Sequence, residues 1–142
     1  MKNFLQILLL LFVFGCSQKK EKKVIITESK VYKQSEMAAL MLKMYEVNLE
    51  NKSLILEGKT SNAFPEEFIN IHTAQLTDPA DRDSSFKVFS DLYLTTFQQD
   101  FETDKEGLKV KHNNTINSCI ACHKTTCIGP IPKIKKLLIQ EL

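Results

Sequence analysis

Residues 35–58 read SEMAALMLKMYEVNLENKSLILEG. Met37, Leu40, Met41, Met44, Tyr45, Leu49, Ile55 and Leu56 recur in it close to the 3.6-residue period of a helix that buries one side. Ser35 is placed to cap the first turn, and Gly58 to take the left-handed turn that ends the helix. Nothing downstream alternates long enough to predict a strand. Pro65 suits a first helical position and Glu66 and Glu67 favour the positive end of a helix. Phe68, Ile69, Ile71, His72 and Leu76 then continue a shorter second helix, which stops before Asp78-Pro79.

Asp81 to Ser85 offers several caps for a third helix. Phe86, Phe89, Tyr93, Phe97 and Phe101 fall on one broad stripe of it, which reads as plain core or as a face for a large flat cofactor. A fourth helix is expected from about Lys105 to Cys127, with Leu108, His112, Thr115, Ile116, Cys119 and His123 along one side. Its asparagine-rich stretch at 113–117 is a poor helix former and calls for tertiary support. Gly129-Pro130 ends it. Pro132 opens an amphipathic tail with Ile134, Leu137 and Leu138 facing the body and Lys133, Lys135 and Lys136 facing water. The fold class expected is all-α, and four antiparallel helices are the simplest bundle.

Upstream, Lys2 is followed by an apolar run from Phe4 to Phe14, broken only by Gln6 and closed by Gly15 and Cys16. Residues 1–15 therefore read as a secretory signal; the run is too short to span a bilayer, which takes about 20 apolar residues. Val13-Phe14-Gly15-Cys16 resembles a bacterial lipobox, which implies acylation of Cys16 as the first mature residue. An ordinary signal peptide or an uncleaved anchor is the alternative, and each of these readings exports the chain. Residues 16–30 are polar and charged and read as a flexible tether, whose lysines can be drawn to anionic lipid head groups. Export disfavours nucleic acid as their partner. Residues 31–142 are left for one domain with a modest core. The whole chain has 19 basic and 17 acidic residues, so no strongly charged partner is implied.

Of the four cysteines, Cys16 is assigned to lipid and three crowd at 119, 122 and 127. An exported protein would ordinarily pair its thiols, but three is odd. The decisive run is Cys119-Ile120-Ala121-Cys122-His123. Two thiols three positions apart on a helix share one face and can form thioethers to the two vinyl groups of a single haem. The adjoining His123 is then held where its imidazole can bind the iron. Three other readings stand beside this one. A thioredoxin-like pair would want a strand before Cys119. Structural zinc on Cys119, Cys122, His123 and Cys127 would need adjacent residues to point together. A Cys119–Cys122 disulfide is the plainest.

A CxxCH near the C-terminus of an all-helical exported chain resembles cytochrome c′ and the class II cytochromes c. That resemblance implies a four-helix bundle with one covalent haem c on the last bundle helix. Tyr32-Lys33-Gln34-Ser35-Glu36-Met37 looks like the start of the first helix in that group, where such a stretch precedes the residue over the distal haem face. The chain departs from the group where Gly129-Pro130 cuts the last helix short and where Lys124-Thr125-Thr126-Cys127 replaces the usual continuation. It also resembles short haem lipoproteins of Bacteroidetes-type bacteria.

If the first and last helices run antiparallel, the first turns of the former lie level with His123. Met37, Met41 and Met44 stand there at i, i+4 and i+7, and a thioether is a standard sixth ligand; flexible core filler is the alternative for each. Met41 is the first choice by height, while the resemblance points to Met37. His72 is a runner-up. His112, eleven residues before His123 and roughly 16 Å away along one helix, is not a candidate. No role is assigned to Cys127. The expected function is a lipid-anchored one-electron carrier in the cell envelope, serving unnamed redox partners and not acting as an enzyme. The alternative is a five-coordinate haem protein that binds nitric oxide or another gas. The resemblance also admits a homodimer.

Overall fold

Ser35 begins the first helix as its position predicts: its Oγ accepts from the Ala38 amide at 3.1 Å. The computed structural model describes residues 33–60, 63–102 and 107–140. The predicted signal, Cys16 and the tether lie outside the described residues. Among the described residues every regular element is helical and none is a strand, and no helix is long and apolar enough to cross a membrane. Three long helices carry the fold: α1 (Glu36–Leu56), α2 (Ser84–Glu102) and α3 (Leu108–Thr125). A single turn, α4 (Ile131–Ile134), leads into a 3-10 turn at Lys135–Leu137.

α1 ends at Gly58, whose φ of 72° lets the Lys59 amide turn back to the Leu54 carbonyl at 2.8 Å. Its buried side is Met37, Met44, Asn48, Asn51 and Ile55. Leu49 and Leu56, expected on that side, are 47% and 57% exposed. They share the 7-residue spacing of exposed Leu42, a stripe rotated about 100° from Asn48 and Ile55. Two asparagines are buried in their place.

The second predicted helix differs in kind. Residues Glu66–His72 form a 3-10 helix, not an α-helix. Phe68, Ile71 and Ala74 are the buried residues here, and their three-residue spacing matches the 3-10 period. The Arg82 guanidinium holds the end of this segment. It donates to the carbonyls of Ile71 and His72, and to that of Ala74 at 2.6 Å, acceptors that a helix end leaves without partners. Arg82 also lies over the Phe86 ring, 4.9 Å from its centroid. The connection returns to the start of α1, where the Met37 amide donates to the Gln75 carbonyl at 3.0 Å and the Gln75 amide to Glu36 at 2.9 Å.

α2 and α3 are antiparallel: Thr96 meets Ser118 at 3.3 Å, and Lys111 reaches Gln99 at 3.4 Å. α1 and α3 are antiparallel too, because Ile55 near the end of α1 clusters with Leu108 at the start of α3, while Met37, Met41 and Met44 near the start of α1 line one cleft with Cys119 and Cys122 near the end of α3. The aromatic stripe of α2 is largely core. Phe97 is fully buried, with Tyr93 stacked on it at 5.5 Å and Phe68 tilted against it at 5.5 Å. Phe89 is half-buried, and the Phe101 side chain lies outside the described residues. The tail packs as its pattern predicts, with Ile134 and Leu137 buried, Leu138 half-buried and Lys133, Lys135 and Lys136 exposed.

Candidate cofactor-binding cleft

α3 holds Cys119, Cys122 and His123 at i, i+3 and i+4, hence on one face. α1 presents Met37, Met41 and Met44 in the same way. These six residues line one cleft of about 430 Å³, within the range of ordinary ligand sites. Phe86 and Tyr93 of α2 and Ile71 of the connection contribute to its wall, and Pro130, Lys133, Ile134 and Leu137 of the tail contribute on the α4 side. The wall is mostly apolar, as a large flat organic cofactor requires. All six are among the residues that the CxxCH motif, the methionine spacing and the family resemblance single out. Spacing did not point to Tyr45, Asn48 or Lys133, which also line the cleft.

The imidazole of His123 is oriented by its own helix end. Because α3 stops at Thr125, the chain turns and brings the Cys127 carbonyl oxygen within 2.8 Å of His123 Nδ1. A carbonyl can only accept, so Nδ1 is the donor, which in the neutral ring leaves the Nε2 lone pair free. That is the tautomer a metal-binding histidine needs, with the outer hydrogen bond fixing the ring. Cys127 itself is an exposed free thiol at the cleft.

Burial, and then the neighbouring Cys122, push the Cys119 thiol up to about 12. Burial, and then the charge of Asp83, also raise Cys122. Both sulfurs are therefore neutral thiols at ordinary pH. A thiol–disulfide catalyst needs a lowered pKa instead, so the environment opposes that reading. Among the described residues no three His, Cys, Asp or Glu side chains gather as a group that could hold a bare ion. Haem asks less of the protein, since the porphyrin supplies four of the iron's ligands and the chain only the axial ones.

The three methionines differ in setting. Met37 and Met44 are buried in the core formed with Phe68, Phe86 and Tyr93, whereas Met41 is half-buried at its edge. His72 is occupied elsewhere: Nδ1 lies 3.2 Å from Ser90 Oγ and Nε2 3.4 Å from Asp91, and it is not part of the cleft wall. His112 is fully buried on the far part of α3, with Nε2 donating to the Leu137 carbonyl at 3.0 Å. Asn48 and Tyr93 put buried polar atoms in the cleft wall. Asn48 Nδ2 donates to the Met44 carbonyl at 2.8 Å and to Tyr93 Oη at 3.3 Å. Comparison with protein-family models, with curated proteins and with solved structures finds no match to this chain.

Proposed function

We propose that this chain is a lipid-anchored monohaem c-type cytochrome that passes single electrons in the cell envelope. One observation carries the reading: both cysteines and the histidine of the CxxCH line one apolar cleft opposite three methionines, and the histidine has Nδ1 tied back. Cys119 and Cys122 would hold the haem through thioethers, and His123 Nε2 would face the iron. Haem bound there supplies a reversible Fe(III)/Fe(II) couple. The chain's own part is to fix the imidazole, exclude water with the α2 and tail walls, and offer a thioether from α1. Met41 is the proposed sixth ligand, with Met37 and Met44 as alternatives. It chemically suits the role as the methionine least committed to the core.

The helix directions support a bundle of the cytochrome c′ kind. α1, the 3-10 connection, α2 and α3 alternate in direction, with the 3-10 segment in the place of the second helix. The proposed signal at 1–15 and lipid on Cys16 would deliver the chain to the envelope and tether it near its redox partners, raising their effective concentration.

The test is expression of the full chain in a host that attaches haem c, followed by denaturing electrophoresis, intact mass and an optical spectrum. Covalent haem and a low-spin spectrum with a methionine–iron band are expected. A high-spin spectrum with fast nitric oxide binding would favour the gas-binding alternative. Colourless protein without the added porphyrin mass would overturn the haem reading altogether.

A further inference from the structure

The cleft wall holds one carboxylate and one ammonium: Asp81, in the turn before α2, and Lys133, in α4. Lys133 is one of three tail lysines, yet Lys135 and Lys136 are not part of the wall. Its ammonium folds over the Tyr45 ring, 4.3 Å from the centroid, an attraction that holds a cation near an aromatic face. Tyr45 lines the same cleft. Among the described residues the ion pairs are Glu57–Lys59, His72–Asp91 and Lys87–Asp91, and none involves Lys133. Asp83, two residues on from Asp81 and outside the cleft lining, adds negative charge near Cys122.

We infer that Lys133, held over Tyr45, is the counter-ion for a carboxylate of the cleft's cofactor, a haem propionate, and so a positioning residue. The inference rests on the haem reading. A haem c carries two propionates on the edge opposite the vinyl groups that join the cysteines. Once thioethers fix one edge on α3, the carboxylates must settle against one wall or another. Asp81 repels them and Lys133 attracts them. An exposed ammonium pairs weakly, so its contribution is to select an orientation rather than to retain the group.

The experiment uses full-length haem-bearing protein. Its lysines are acylated in a time course read by peptide mass spectrometry, with Lys135 and Lys136 as internal references and the Cys119→Ser/Cys122→Ser chain for comparison. Lys133 should react about two- to fivefold more slowly relative to its two neighbours when haem is attached, the scale of an exposed ion pair, and not in the double variant. In parallel, resonance Raman of the haem-bearing forms should show the propionate bending band moved in Lys133→Met and restored in Lys133→Arg. Equal relative rates in both forms, or a band that ignores Lys133→Met, overturns the inference while leaving the haem reading intact. Wild-type chain that takes up no haem overturns the parent reading instead.

Discussion

His123 Nδ1 donates to the backbone carbonyl of Cys127 across 2.8 Å, so the residue that orients the imidazole does so with its main chain and not with its sulfur. Cys127→Ala should therefore leave the haem adduct mass, spectrum and midpoint potential unchanged. Cys119→Ala and Cys122→Ala should each remove one thioether, seen as an altered reduced-state absorption band. Loss of haem attachment in Cys127→Ala would show that its thiol takes part. Gly129→Ala is a control for the turn itself, because a Cβ there meets nothing within 4 Å and its effect should be negligible.

The methionine series separates ligation from packing. Met41→Ala should abolish the methionine–iron band and lower the potential. Met37 and Met44 are 6% and 5% exposed, and truncating either should cost about 2–5 kcal/mol in denaturant unfolding while the band persists. A band lost in Met37→Ala and kept in Met41→Ala would transfer the ligand to Met37. Both variants should be measured on haem-bearing protein, where covalent attachment keeps the chromophore in place even if the fold loosens.

Ser35, Gly58 and the apolar spacing of α1 announced its two ends, since caps and the left-handed turn are local chemistry. Phe68, Ile71 and Ala74 carry a period of three that also fits a helical period of 3.6, so the sequence predicts an α-helix where the connection is a 3-10 helix. Only tertiary packing, with Arg82 holding the last carbonyls, decides between the two there. Asn48 and Asn51 were not expected inside, because polar side chains are buried only where partners compensate, and Tyr93 as a partner is 45 residues away. The CxxCH and the three methionines stand out in the sequence by residue type and spacing, and the fold brings them to one cleft. The tail pattern predicts only that Lys133 faces water, because its Tyr45 contact depends on how the tail folds back.

His112 makes stability depend on pH. Burial is the main reason its pKa is held below the ordinary value, the Leu137 hydrogen bond works the other way, and Lys52 adds to the lowering. The unfolded chain then takes up a proton near pH 6.5 while the folded one does not. This contribution is complete above that pH and is lost as pH falls toward the lower folded value, with a limiting slope of about 1.4 kcal/mol per pH unit. Urea unfolding of wild type should weaken from pH 7 to pH 5 more than that of His112→Gln, whose amide can still donate to Leu137. Parallel pH profiles would remove His112 as the cause, since His72 and His123 are common to both proteins.

The tail is docked through its backbone, and that links stability to the cleft. Asn113 grips Ile139 twice, its Nδ2 donating to the carbonyl at 2.9 Å and its Oδ1 accepting from the amide at 2.8 Å. Lys52 Nζ donates to the carbonyls of Lys136 and Leu138 at 2.8 and 2.9 Å. Asn113→Ala leaves two main-chain groups of a half-buried segment unpaired, at about 1–3 kcal/mol each at most. Because Pro130, Ile134 and Leu137 form part of the cleft wall, fraying of the tail should open the cleft before the long helices unfold. Asn113→Ala should thus raise proteolysis and amide exchange at 134–140 and speed entry of small external iron ligands, with the thioether-bound haem retained. A double-mutant cycle with Lys52→Met should show coupling of about 0.5–3 kcal/mol, as for residues sharing one network. Strict additivity would mean that the two grips hold the tail independently.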